Sequence, residues 1–70
     1  MNRIRELREA MRLTQEELGV LTGLSPSHIS RLENDTTALD ADKIERLSRV
    51  FKVPAWQLFL PPDAVKKEVD

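Results

Sequence analysis

An all-α domain of five short helices is predicted by three features of this sequence. Apolar residues recur three and four positions apart, a capping residue stands ahead of each such stripe, and no segment reads as a strand. The chain of 70 residues is long enough for one domain. A chain of this size buries only about 60% of its unfolded surface, so each short helix must gain its stability from packing.

The first segment, Asn2 to Met11, carries the stripe Ile4, Leu7 and Met11, with Asn2 as its expected N-cap. The second opens with Thr14-Gln15-Glu16-Glu17, a capping box in which the Thr14 hydroxyl can accept from the Glu17 amide and the Glu17 carboxylate can reach back to the Thr14 amide. It places Leu18 and Leu21 inward and stops at Gly23, the expected left-handed residue. Ser25 caps the third, and Pro26 occupies its first position, where a missing N–H costs nothing. Ile29 and Leu32 point inward, and Asn34-Asp35-Thr36-Thr37 reads as a turn. The fourth runs from Asp40 to Phe51 on Ala41, Ile44, Leu47 and Phe51, and ends before Pro54. The fifth, from Pro54 to Leu60, is closed by Pro61-Pro62, and residues 61–70 read as a flexible tail. The expected core is Ile4, Leu7, Met11, Leu18, Leu21, Leu24, Ile29, Leu32, Ile44, Leu47, Phe51, Val53, Leu58 and Phe59.

Composition excludes several classes of function. There is no cysteine and only one histidine, so neither thiolate nor His-cluster metal chemistry is expected. Two glycines are too few for a Gly-rich phosphate loop. No apolar run approaches the roughly 20 residues that span a bilayer, and no signal-peptide core is present, which leaves the cytoplasm as the expected location. No carboxylate pair or nucleophile–base set suggests an enzyme, and no cofactor is expected.

The second and third segments form two capped helices joined by a glycine-containing turn, the sequence form of a helix-turn-helix. Gly19 is small where the two helices must approach, and Gly23 permits positive φ in the turn. The run Thr14-Gln15-Glu16-Glu17-Leu18-Gly19-Val20-Leu21-Thr22-Gly23-Leu24-Ser25-Pro26-Ser27-His28-Ile29-Ser30-Arg31-Leu32-Glu33-Asn34 resembles the core of the phage-repressor/Cro-like (XRE-type) helix-turn-helix family. Ile4-Arg5-Glu6-Leu7-Arg8 resembles that family's first helix, and Ile44 to Leu58 its last two, so the likeness covers residues 2–60. It implies a five-helix, lambda-repressor-like DNA-binding domain over residues 1–60, with the helix-turn-helix at 14–34, in a transcriptional regulator acting as a dimer on a palindromic operator. Three positions depart from the pattern. Gly19 replaces the usual alanine, which is expected to loosen its helix by up to ~1 kcal/mol; Val20 is apolar where a polar residue is common; and Asp35 stands where glycine is frequent.

In that frame the third helix enters the major groove, with its N-terminal residues at the base edges. Pro26, Ser27, Ser30 and Arg31 form its outward face and are the candidate base contacts. Arg31, the only long donor among them, can fork to O6 and N7 of a guanine, or can serve as a phosphate contact or surface ion pair. The resemblance places a phosphate at Gln15, and Ser25 and His28 are further candidates for the backbone. Asn34 resembles a phosphate-contacting position, with a helix cap as its alternative. Arg8 and Glu33 each follow an inward isoleucine by four residues, which predicts an interhelical ion pair that fixes the recognition helix. Trp56 and Leu60 are candidates for a dimer seam, with Trp56 folded onto the core as the alternative and the turn from Asn34 to Asp40 as the competing seam.

The chain lacks the domain-wide basic excess usual for nucleic-acid binding. The net charge is -1. Residues 1–31 carry five basic and four acidic groups, about +1, and residues 32–70 carry six and eight, about -2. Few phosphates can be neutralised per subunit, so affinity must draw on two subunits, hydrogen bonds and DNA shape. A protein-interaction module, such as an antitoxin whose main partner is a toxin or another regulator, is the alternative; exposed Val20 and Trp56 would suit it.

Overall fold

The computed structural model describes residues 2–59, in which four α-helices and two 3-10 helices pack around one core. The α-helices are α1 (Ile4–Ala10), α2 (Gln15–Thr22), α3 (Pro26–Asn34) and α4 (Ala41–Phe51). The 3-10 helices are Thr36–Ala38 and Ala55–Phe59. α2 packs on both α3 and α4, and α1 closes the bundle against the same two helices. Ile4, Leu18, Ile29, Leu32, Leu47 and Leu58 are fully buried at its centre with Phe51 beside them; Leu7, Leu24, Ile44 and Val53 pack around that centre. Leu60 and the tail, residues 61–70, lie outside the described residues.

Local chemistry sets the boundaries. Thr14 and Glu17 form the reciprocal capping box: the Glu17 amide donates to Thr14 Oγ1 at 3.0 Å and the Thr14 amide to Glu17 Oε1 at 2.8 Å. Ser25 and Asp40 accept the third amides of α3 and α4. Gly23 ends α2 at φ 76°, and Lys52 ends α4 at φ 57°. At the other end of the chain, the Arg3 amide donates to the Leu58 carbonyl at 3.0 Å, so the final 3-10 helix is tied to the start of α1.

Several expectations need correction. Asn2 is not the cap residue of α1, because Arg3 occupies that position and contributes no side-chain cap. Asn2 Oδ1 instead accepts from the Ile4 amide one position early, while its Nδ2 donates to the Leu32 carbonyl at 2.8 Å, which ties α1 to α3. Met11 is exposed because α1 stops at Ala10 and the stripe does not reach it. Leu21 is also exposed. α2 buries Leu18, Gly19 and Thr22, so its inward line follows the close approach at Gly19 rather than the Leu18–Leu21 spacing. The expected fifth α-helix is a 3-10 helix. With three residues per turn, Trp56 and Phe59 fall on one outward line, at 61% and 41% exposure, while Leu58 points inward. Trp56 therefore does not fold onto the core, and Phe59 does not belong to it.

Gly19 is a requirement of the crossing and not a loose point in the helix. A Cβ there would stand 2.3 Å from the Leu24 carbonyl oxygen. That carbonyl belongs to the turn that carries the chain into α3, so only glycine leaves room for it in this arrangement.

Candidate nucleic-acid interface

Glu33 organises the candidate interface from within. Its side chain is fully buried at the crossing of α1, α2 and α3. Arg8 Nε, from α1, donates to Oε2, and Gln15 Nε2, from the first turn of α2, donates to Oε1 at 3.2 Å. Arg5 Nε, one turn before Arg8, donates to the same Oε1 at 3.2 Å. Arg8 also holds the α1–α2 connection through its bond from Nη1 to the Leu13 carbonyl at 2.8 Å. Burial by itself would raise the Glu33 carboxyl, but the hydrogen bonds from Arg8, Gln15 and Arg5, together with the Arg8 charge, outweigh it and hold the group below its ordinary value.

This anchoring decides what α3 presents. With Ile29, Leu32 and Glu33 buried, Pro26, Ser27, His28 and Arg31 are exposed, and Ser30 is half-buried on the same outward side. The Arg31 side chain has no hydrogen-bond or ion-pair partner among the described residues, so its five donors are free. Ser25 is exposed but occupied: its Oγ accepts from the His28 amide and lies 3.2 Å from Ser27 Oγ. Asn34 is the last residue of α3 and not its C-cap, which is Asp35. Its Nδ2 donates to the Ser30 carbonyl at 2.8 Å and its Oδ1 accepts from Arg5 Nη2 at 3.4 Å.

The structure thus brings Arg8, Gln15 and Glu33 together and joins Asn34 to them through Arg5. Arg5 lies off the apolar stripe of Ile4 and Leu7 and is not among the site residues expected from the sequence. The missed signal was its spacing, since residues three apart on a helix are neighbours and Arg5 stands three before Arg8. Arg46 was missed as well: its Nη1 donates to the Thr22 carbonyl at 2.8 Å, placing a cation at the C-terminal end of α2 and fixing that helix to α4.

Among the described residues no group of acidic, His or Cys side chains is placed to hold a metal, and no helix is long and apolar enough to cross a membrane. No curated protein and no solved structure matches the chain. A family model described as helix-turn-helix matches residues 4–55. That span includes α1 to α4 and the whole Glu33 cluster, and by it the chain belongs to the XRE-type, Cro/C1-like helix-turn-helix family of DNA-binding regulators.

Proposed function

We propose that this protein is a repressor-like transcriptional regulator that reads a specific double-stranded DNA sequence, as a homodimer on a palindromic operator and without a cofactor. The observation that carries the reading is α3, whose inner side is locked by Ile29, Leu32 and Glu33 while Pro26, Ser27, Ser30 and the unpaired Arg31 stand outward. Arg31 is the principal base reader, Ser27 and Ser30 make single or water-mediated bonds, and Pro26 offers an apolar contact to a thymine methyl. Gln15, Ser25, His28 and Asn34 meet the phosphate backbone and set the register. The functional unit is residues 1–60, with 14–34 as the reading element, and its setting is the cytoplasm.

Selection of bound duplexes from random DNA, followed by titration of wild type and Arg31→Ala, tests this. Loss of Arg31 is expected to cost ~1–3 kcal/mol and to relax preference at one base pair per half-site. An unchanged base preference would remove Arg31 from the reading surface.

One observation favours a second reading, a protein partner such as a toxin. Leu13, Glu17, Val20 and Leu21 line a shallow, mostly apolar depression, and Val20 is 78% exposed. If Val20→Ser abolished a partner complex while leaving DNA affinity intact, that second role would stand beside the first.

A further inference from the structure

Two guanidinium groups share the Glu33 carboxylate, and they are not equivalent. The Arg8 side chain is 12% exposed and spends its donors on Glu33 and the Leu13 carbonyl. The Arg5 side chain is 54% exposed. Only its Nε and one Nη2 hydrogen are engaged, with Glu33 and Asn34, which leaves three donors without a partner among the described residues. Both Glu33 oxygens are covered by donors and its side chain is fully buried, so its charge is masked from an approaching anion. Glu9, whose exposed carboxylate lies 3.9 Å from Arg8 Nη2, balances the Arg8 side of the cluster, so its exposed positive charge is that of Arg5.

Gln15 and Asn34 flank Arg5. Gln15 and Arg5 donate to the same Glu33 oxygen, so their nitrogens lie within a few ångströms of one another, and Asn34 touches Arg5 directly. Each amide has spent one N–H and keeps a second. Side chains from α1, α2 and α3 therefore converge around one exposed guanidinium, a fork that suits a phosphodiester oxygen pair.

We propose that Arg5 is a phosphate clamp: one DNA backbone phosphate sits on its terminal nitrogens, between the Gln15 and Asn34 amides, with Glu33 holding the clamp in place. This rests on the DNA-binding reading and adds to it a charged contact from the first helix. It also addresses the low basic charge of the chain, since a pre-positioned arginine loses little freedom on binding.

The test compares wild type, Arg5→Gln, Arg5→Lys and Arg49→Gln, binding a selected and a scrambled duplex across a salt series. Arg49 lies on α4, paired with Glu45, and controls for net charge. Arg5→Gln should weaken both duplexes by a similar factor and leave the base preference unchanged. It should also flatten the salt slope by about 0.9 for each subunit engaged, which is roughly a three-fold smaller loss between 50 and 200 mM salt. Arg5→Lys should restore the slope, and Arg49→Gln should leave it near wild type. Modification of wild type by phenylglyoxal, read by mass spectrometry, gives a measure independent of any variant's folding: bound duplex should protect Arg5 and leave Arg49 reactive. If wild type prefers its selected duplex but Arg5→Gln keeps wild-type affinity and slope, or Arg5 stays fully reactive in the complex, the clamp is wrong while the DNA-binding reading survives. If wild type does not distinguish the two duplexes, the DNA-binding reading itself fails.

Discussion

At residue 33 a carboxylate is removed from water and given donors from three side chains in exchange, so the cost of losing a partner differs for each of them. Arg8 is sealed against Glu33, and removing it leaves a buried charge short of its main partner; Arg8→Ala is expected to destabilise the fold by roughly 3–5 kcal/mol in urea unfolding. Arg5 is half-exposed, and Arg5→Ala is expected to cost under about 1 kcal/mol in the same measurement. A double-mutant cycle between Arg8 and Glu33 should show strong coupling, and coupling near zero would contradict the anchoring role. The same cluster predicts an acid limit. Glu33 sits below its ordinary value of 4.5 in the native state, so below that pH the unfolded chain takes up a proton more readily than the folded one. Its contribution is fully present above about pH 4.5 and is lost as pH falls through the depressed value; Glu33→Gln should flatten the acid limb of a stability–pH curve. The Arg8–Glu33 meeting was legible in the sequence because both residues continue an apolar stripe. The roles of Arg5 and Gln15 toward Glu33 were not: the place of Arg5 three before Arg8 gains meaning only once Glu33 is known to lie at the helix crossing, and Gln15 continues no apolar stripe.

At the scale of elements, caps were the most readable feature. Thr14, Ser25 and Asp40 each accept an amide three residues on, a local bond that needs no tertiary context. Gly23 supplies the left-handed turn between α2 and α3, whereas Lys52 adopts a similar backbone at φ 57° with a side chain attached. Lys52→Gly is therefore expected to stabilise the protein by up to ~1 kcal/mol, seen as a higher unfolding midpoint. Gly19→Ala should act in the opposite direction, despite alanine's better helix propensity, because the added Cβ meets backbone and not a side chain that can swing away. A net loss of about 1 kcal/mol is expected, and a gain in stability would mean that the turn at Leu24 yields easily. The sequence could not show the inward line of α2, since Leu18 and Leu21 have proper helical spacing; the close approach at Gly19 overrides it. The last segment was misread for a related reason: five residues after a proline hold too little periodicity to separate an α-helix from a 3-10 helix, yet that choice decides whether Phe59 lies beside Leu58 or beside Trp56.

At the scale of the whole molecule, the fold holds α3, the proposed reading helix, in a chain whose net charge is -1. A monomer with one strong base reader should bind weakly, whereas two copies can set their reading helices about 34 Å apart in successive major grooves. The outward pair Trp56 and Phe59 is an exposed apolar face and the proposed seam for that pairing, since aromatics are favoured at such seams. Trp56→Ala is expected to shift sedimentation toward the monomer and to weaken binding to a full palindrome more than to a half-site. A variant that still dimerises would move the seam to the turn between Asn34 and Asp40. The central claim is specific duplex recognition, and the most direct test is the affinity of wild type for its selected duplex and for a scrambled duplex of the same length and composition, at moderate salt. The selected duplex should bind at least tenfold more tightly, with an affinity that falls as salt rises; equal affinity for the two would contradict the claim.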